Sequence, residues 1–358
     1  MGIYMYQGRF QQKSHSYTTN ILASVAFSWI IGKVILVIGL LVEDIYRLSL
    51  FGYQSIIEAE ATFPTRNGLF DLTFYMLSFV FMLFLIYGVV YGKYHFKLHR
   101  VELKLKDLPK QFDGFKIVQF SDAHLGSFDK MSGFKKGIDL IKSTQLDLLV
   151  FTGDLVNNLA AEAEPYIPHF KELTAKYGKL AILGNHDYAD YVSWPNEIEK
   201  RKNLERLAEI HAEMGFHLLD NENVTVQKND AYIYVAGVQN WGLPPFPQHG
   251  DLNKAIQGIP ENAITILLSH DASHWDAQIK NHKHQIHLTL SGHTHGMQFG
   301  IDLPFFKWSP VKLKYPKWAG LYRENSRYLY VNRGFGFLGF PGRSGIRPEV
   351  TEFVLKSE

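Results

Sequence analysis

The chain has 358 residues, a formal net charge of +2 and no cysteine. That length admits one large domain or two ordinary ones. The near-neutral charge gives no sign of the basic surface that nucleic-acid binding draws on, and the missing thiols exclude disulfides, cysteine nucleophiles and cysteine-ligated zinc.

Two apolar stretches come first. Residues 21–42 are apolar except for Lys33, whose charge at mid-bilayer costs roughly 2.5–3.5 kcal/mol. Residues 72–91, LTFYMLSFVFMLFLIYGVVY, are 20 in a row without a charge, enough to cross a bilayer as a helix. Beyond them the composition turns mixed, which predicts a membrane anchor over 1–100 and a soluble domain over 101–358. Lys93, Lys97, Arg100, Lys104 and Lys106 follow the second span, and Arg9 and Lys13 precede the first. The segment between the spans mixes Glu43, Asp44, Glu58 and Glu60 with Arg47 and Arg66. The positive-inside tendency then predicts an inner-membrane protein with both termini and the soluble domain in the cytoplasm.

From Lys116 onward, short apolar runs alternate with amphipathic stretches, the pattern of an α/β domain. Strands are expected at 116–120, 146–151, 179–183, 231–238, 263–269 and 285–291, and helices at 130–145, 163–177 and 203–215. Five of those strands stop at polar residues: SDAH, TGD, GNHD, SHD and SGHTHG. In open α/β sheets ligands gather beyond the carboxyl ends of strands, so these five ends can converge. They carry Asp122 and His124, Asp154, Asn185 with His186 and Asp187, His270, and His293 with His295.

The ordered series D-x-H, GD, GNHD, H, GHTH resembles the calcineurin-like metallophosphoesterase superfamily, from about residue 116 to the C-terminus. The resemblance implies an α/β (α+β) fold, a four-layer αββα sandwich of two stacked mixed sheets flanked by helices, here behind an N-terminal transmembrane segment. It implies two divalent metal ions, one held by Asp122, His124 and His295 and the other by Asn185, His270 and His293, with Asp154 bridging. A mixed oxygen and nitrogen donor set suits manganese first, with iron or zinc as alternatives, better than calcium. It further implies that His186 contacts the scissile phosphate and protonates the leaving group, oriented by Asp187; a histidine titrates near neutrality, as that task requires. Two departures stand out. Met297 follows the GHTHG run where relatives often carry a second glycine, and Asp271 follows His270 where a proline is common nearby.

Substrate signals are weaker. Residues 299–322 interleave Phe305, Phe306, Trp308, Tyr315 and Trp318 with Lys307, Lys312, Lys314 and Lys317. This is either a flap that touches the bilayer surface or an excursion packed on the domain. Arg333, Arg343 and Arg347 are candidates for phosphate neutralisation or for structural pairing. The C-terminal segment 334–349 resembles the membrane-associated branch that cleaves the pyrophosphate of UDP-2,3-diacylglucosamine in lipid A synthesis. That implies a phosphorylated lipid or lipid-linked nucleotide as substrate, the membrane as partner, and no nucleic acid. The alternatives are a nucleotide phosphodiesterase, an inactive metal-binding scaffold, and a regulatory domain on a membrane receptor.

Overall fold

The computed structural model describes residues 17–58 and 60–358, so the expectation for Arg9 and Lys13 lies outside the described residues. It divides into two compact units, one holding the N-terminal helices and the other beginning at Gly92.

In the first unit, α1 (Tyr17–Ile57) and α2 (Gly68–Val90) both outrun the expected spans. Each is long and apolar enough to cross a membrane. Asn67 caps α2, its side chain accepting from the N–H groups of Leu69 and Phe70 and so satisfying donors a helix start leaves open. The charges of the C-terminal half of α1 and of the loop after it neutralise one another: Arg66 reaches Asp44 at 2.6 Å and Glu43 at 3.2 Å, and Arg47 reaches Asp44 at 2.9 Å. Lys33 lies 3.1 Å from the centroid of the Trp29 ring, a cation–π contact.

The second unit is built on two six-stranded sheets. The first runs in the order β1 (Lys97–Leu105), β14 (Glu349–Ser357), β2 (Lys116–Phe120), β3 (Leu148–Thr152), β4 (Lys179–Ile182), β5 (His217–Leu218). The second runs β12 (Gly320–Glu324), β13 (Arg327–Val331), β9 (Leu288–Ser291), β8 (Thr265–Leu268), β7 (Ala231–Gly237), β6 (Glu222–Lys228). A separate hairpin joins β10 (Ile301–Leu303) to β11 (Phe306–Trp308).

The strands read as continuous apolar runs because both faces are buried, which is the pattern of sheets covered on each side. Ile117, Val150, Ile182 and Phe353 of the first sheet meet Ile233, Val235, Ile266, Leu268 and Leu290 of the second in the central core. Their neighbours Val118, Leu149, Phe151 and Ala181 point the other way, onto Phe134, Ile138 and Ile141 of α3 (Met131–Lys142) and onto Leu207 and Ile210 of α4 (Glu197–Glu213). On the far side, Ala236, Leu267, Leu329 and Val331 pack on Trp275, Ile279 and Leu252. The layers are therefore helix, sheet, sheet, helix.

Two expectations change. The helix expected at 163–177 is two 3₁₀ turns and a short helix, Ile167–Lys171, because Pro165 and Pro168 each remove a backbone donor. The third helix begins at Glu197, where the Asn196 side chain accepts from Glu199 N–H, rather than at 203. The basic stretch after α2 enters the second unit: Lys97 to Leu105 form β1 with Arg100 and Lys104 exposed, while Lys93 is buried with its ammonium 2.8 Å from Asp129.

One buried histidine makes stability depend on pH. His211 on α4 lies between Phe151 and Phe216, with Nδ1 2.9 Å from the Leu207 carbonyl and Nε2 unpaired. Burial lowers it to about 4. Below its unfolded value the unfolded chain takes up the proton that the folded chain refuses, so the contribution is complete above about 6.5 and falls away toward pH 4. The loss at pH 4 amounts to about 3 kcal/mol. His211→Gln is expected to flatten the fall in melting temperature between pH 7 and pH 5, followed by intrinsic fluorescence of the full chain in detergent.

Candidate metal centre

All seven candidate ligands lie at strand ends or in the turns that follow them, and they converge. Asp122, His124, Asp154, His293 and His295 have φ between 43° and 69°, a region that non-glycine residues avoid at a cost of about 1–3 kcal/mol each. The backbone therefore folds back at each strand end to aim a side chain inward. The glycines of SGHTHG share this work in an unexpected way. Gly292 itself does not need positive φ; it provides room, since a Cβ there would meet Ser121 Oγ at 1.9 Å and Asp122 Oδ2 at 2.2 Å.

The donor atoms fall into two groups joined by one carboxylate. In the first, His124 Nε2 and His295 Nε2 are 3.0 Å apart, and His295 Nε2 is 3.2 Å from Asp122 Oδ1. In the second, His293 Nδ1 is 2.8 Å from Asn185 Oδ1, beside His270. Asp154 Oδ2 lies 3.5 Å from His124 Nε2 and 3.2 Å from His270 Nε2, so it touches both.

Hydrogen bonds at the outer nitrogens set the tautomers. His270 Nδ1 donates to the Thr152 carbonyl at 2.7 Å, which turns Nε2 toward the Asp154 carboxylate at 3.2 Å. That nitrogen is buried and has no hydrogen-bond partner. On His293, Nε2 lies 3.0 Å from Tyr315 Oη, which donates to Asp271 Oδ2 at 3.2 Å. With the proton on Nε2, Nδ1 presents its lone pair to the Asn185 carbonyl oxygen. Within Asp122, His124 and His295, and within Asp154, His270 and His293, the donor atoms lie within 4.8 Å of one another, close enough to share one cation.

The electrostatics agree. Burial pushes the Asp122 carboxyl up to about 7 and depresses His124 to about 3 and His293 to about 4. Burial also opposes charge on His270 and Asp154, yet each supports the other: His270 rises to about 10 and Asp154 falls well below the usual carboxylate range. Buried carboxylates and imidazoles brought together in this way form a mixed oxygen and nitrogen donor set that fits divalent ions.

Asp187 does not orient His186. Its carboxylate accepts from the N–H groups of Asp154 (2.9 Å), Leu155 (2.8 Å), Val156 (3.3 Å) and Gly184 (2.9 Å), which occupies it fully. His186 instead sets Nδ1 2.9 Å from the Asn157 carbonyl, stacks on Tyr191 and meets the edge of His124.

The arginines are structural. Arg333 is buried between Glu349 (2.6 Å) and Asp302 (3.2 Å), and Arg347 donates to the His95 and Phe96 carbonyls. Arg343 is buried, donates to the Gly336 and Arg333 carbonyls and comes within 3.3 Å of His295 Nδ1.

Residues 115–297 match the family model of calcineurin-like phosphoesterases. The chain belongs to that family. The phosphoesterase is 34% identical over 281 residues to an uncharacterized metallophosphoesterase, YkuE, of Bacillus subtilis, a match covering 75% of this chain and 90% of the relative. It is 31% identical over 279 residues to the UDP-2,3-diacylglucosamine pyrophosphatase LpxG of Chlamydia trachomatis, covering 64% of this chain and 81% of that one. It is 30% identical over 285 residues to a transmembrane protein with a metallophosphoesterase domain of Danio rerio; there the match covers 76% of this phosphoesterase but 60% of the relative.

Sequence reasoning missed several members of the site. Tyr191 donates no motif signal, yet its hydroxyl accepts from Asn185 Nδ2 at 2.8 Å. Phe246 presents an edge to His293 at 4.6 Å between centroids. Asp271 was visible as a departure from the family pattern, but its tie to Tyr315 and His293 joins positions 44 residues apart. Partners of this kind fix ligand tautomers, and their loss typically weakens metal affinity 10–100-fold. Asp271→Asn is expected to lower manganese affinity within that range at one of two sites, read as a drop in high-affinity stoichiometry by titration calorimetry, with Tyr315→Phe showing a smaller drop.

Proposed function

We propose that this phosphoesterase is a membrane-anchored dinuclear metal hydrolase acting on a lipid-linked phosphate ester or pyrophosphate, with UDP-2,3-diacylglucosamine as the leading substrate. Residues 1–100 serve as the anchor and 101–358 as the catalytic domain, facing the cytoplasm from the inner membrane. Asp122, His124 and His295 hold one divalent ion, Asn185, His270 and His293 the other, and Asp154 bridges them; manganese is the first candidate, then iron or zinc. The observation that carries this reading is the single Asp154 oxygen within 3.5 Å of histidines from both groups. Two helices of membrane length and the likeness to the Chlamydia pyrophosphatase support a substrate presented at a bilayer.

When bound, the ions supply charge neutralisation on phosphoryl oxygens and a nucleophile at neutral pH. The chain's own residues do the rest. The Asn157 carbonyl holds the proton on His186 Nδ1, so Nε2 of the protonated ring has a hydrogen to give to the departing oxygen. Tyr191 backs the ring and holds Asn185 through its amide. Buried ligands limit competing water, which strengthens each electrostatic contact.

Phosphate release by the full chain in detergent, with manganese added or stripped, tests this. UDP-2,3-diacylglucosamine should be preferred over cyclic nucleotides and over the generic diester bis-p-nitrophenyl phosphate. Equal use of all three would remove the lipid assignment, and no turnover of any would favour a scaffold. Asp154→Ala should lose bound metal and turnover together. His186→Ala should keep its metal while turnover slows by about 10²–10⁴-fold; an unchanged rate would return His186 to a structural role.

A further inference from the structure

The β10–β11 hairpin is built inside out. Its register pairs Ile301 with Trp308, Asp302 with Lys307 and Leu303 with Phe306. Cross-strand partners share a face, and alternate residues of a strand do too. One face therefore carries Ile301, Leu303, Phe306 and Trp308, and the other Asp302 and Lys307. A hairpin on a soluble domain turns its apolar face to the core. Here the polar face is anchored inward: Asp302 reaches the buried Arg333 guanidinium at 3.2 Å. The apolar face is open, with Leu303 58% and Phe306 55% exposed, and Phe305 at the turn is fully exposed.

The hairpin is also held firmly at its base. Ser309 Oγ donates to the Gly296 carbonyl at 2.8 Å, and Gly300 approaches the Trp308 carbonyl so closely that a Cβ would lie 2.2 Å from it. Its root is thus the same turn that carries His295. Beside it, the turn Pro310–Leu313 exposes Leu313 almost completely between the exposed Lys312 and Lys314. An isolated two-stranded hairpin gains little stability in water, and a contiguous apolar patch of this kind marks a surface meant for a partner.

We infer that this hairpin is a second membrane contact: Leu303, Phe305, Phe306, Trp308 and Leu313 enter the headgroup region of the bilayer while Lys312 and Lys314 meet anionic lipid. Charge and shape favour a lipid surface over a protein groove, since aromatics flanked by lysines are what an interface with anionic headgroups selects. The inference rests on the reading of α1 and α2 as bilayer spans, because the chain enters the second unit at Gly92, two residues after α2 ends at Val90. The segment 299–322 accordingly serves both purposes expected of it: its first half faces outward, whereas Tyr315 and Trp318 are buried in the domain.

The absence of cysteine makes the test direct. Single nitroxides are placed at Phe305→Cys, at Leu77→Cys in α2 and at Glu205→Cys on the exposed side of α4, in the full chain reconstituted in phosphatidylcholine nanodiscs with or without phosphatidylglycerol. Relaxation by oxygen should exceed relaxation by a water-soluble nickel chelate at positions 305 and 77, and the order should reverse at 205. Phosphatidylglycerol should deepen the signal at 305 alone. A water-like response at 305 with a bilayer response at 77 overturns the inference and leaves the anchor intact; a water-like response at both overturns the two together. Dipolar broadening at 305, which signals a second copy of the chain on the patch, also overturns it. In activity, the double variant Leu303→Ser, Phe306→Ser should raise KM for a lipid-embedded substrate about tenfold, with bis-p-nitrophenyl phosphate hydrolysis unchanged within about twofold.

Discussion

The Asp187 carboxylate is the constraint on which the site depends. Four backbone N–H groups converge on its two oxygens, three from the turn after β3 and one from the turn after β4. A carboxylate in that setting replaces the ladder hydrogen bonds both strands give up at their ends. It also stabilises the left-handed backbone at Asp154. Asp154 Oδ1 in turn accepts the His186 N–H at 2.8 Å, so the bridging carboxylate and the candidate acid share one bracket. Without it, the strained turn at Asp154 would lose the contacts that hold it.

Around that bracket the two sheets act as a rigid plate. Their inner faces meet across a dry core, and their outer faces are covered separately. Strand ends on such a plate move little, so the donor atoms remain in place although no covalent crosslink connects them. Rigidity of this type suits a centre whose ligands come from five separate strand ends.

Much of this was legible in the sequence, for a physical reason. Buried strands announce themselves as short apolar runs, and a run that stops at a histidine or aspartate announces a site. The α3 face, the strands β2, β3, β4, β8 and β9, and the residues at their ends all followed from those two signals. What failed had other causes. The prolines at 165 and 168 outweighed apolar periodicity. The pairing of Lys93 with Asp129 was not visible either, because charge carries no mark of pairing. Asp187 stood beside His186 in the motif, so adjacency suggested orientation, whereas its oxygens serve the backbone. Tyr191, Tyr315 and Asp271 reach the site from loops whose approach no local pattern encodes.

The strand order carries a further consequence for how the protein is made. β14, the last strand of the chain, is inserted between β1 and β2, with β1 pairing to it along its whole length from Lys97↔Glu349 to Leu105↔Ser357. Until that strand has left the ribosome, β1 has no neighbour in its sheet, and Glu349 is not there to receive Arg333. The apolar helices, in contrast, precede the strands of both sheets in the chain. The nascent chain therefore holds its long hydrophobic helices before it can close its sheet, and the catalytic unit is completed only once β14 is available.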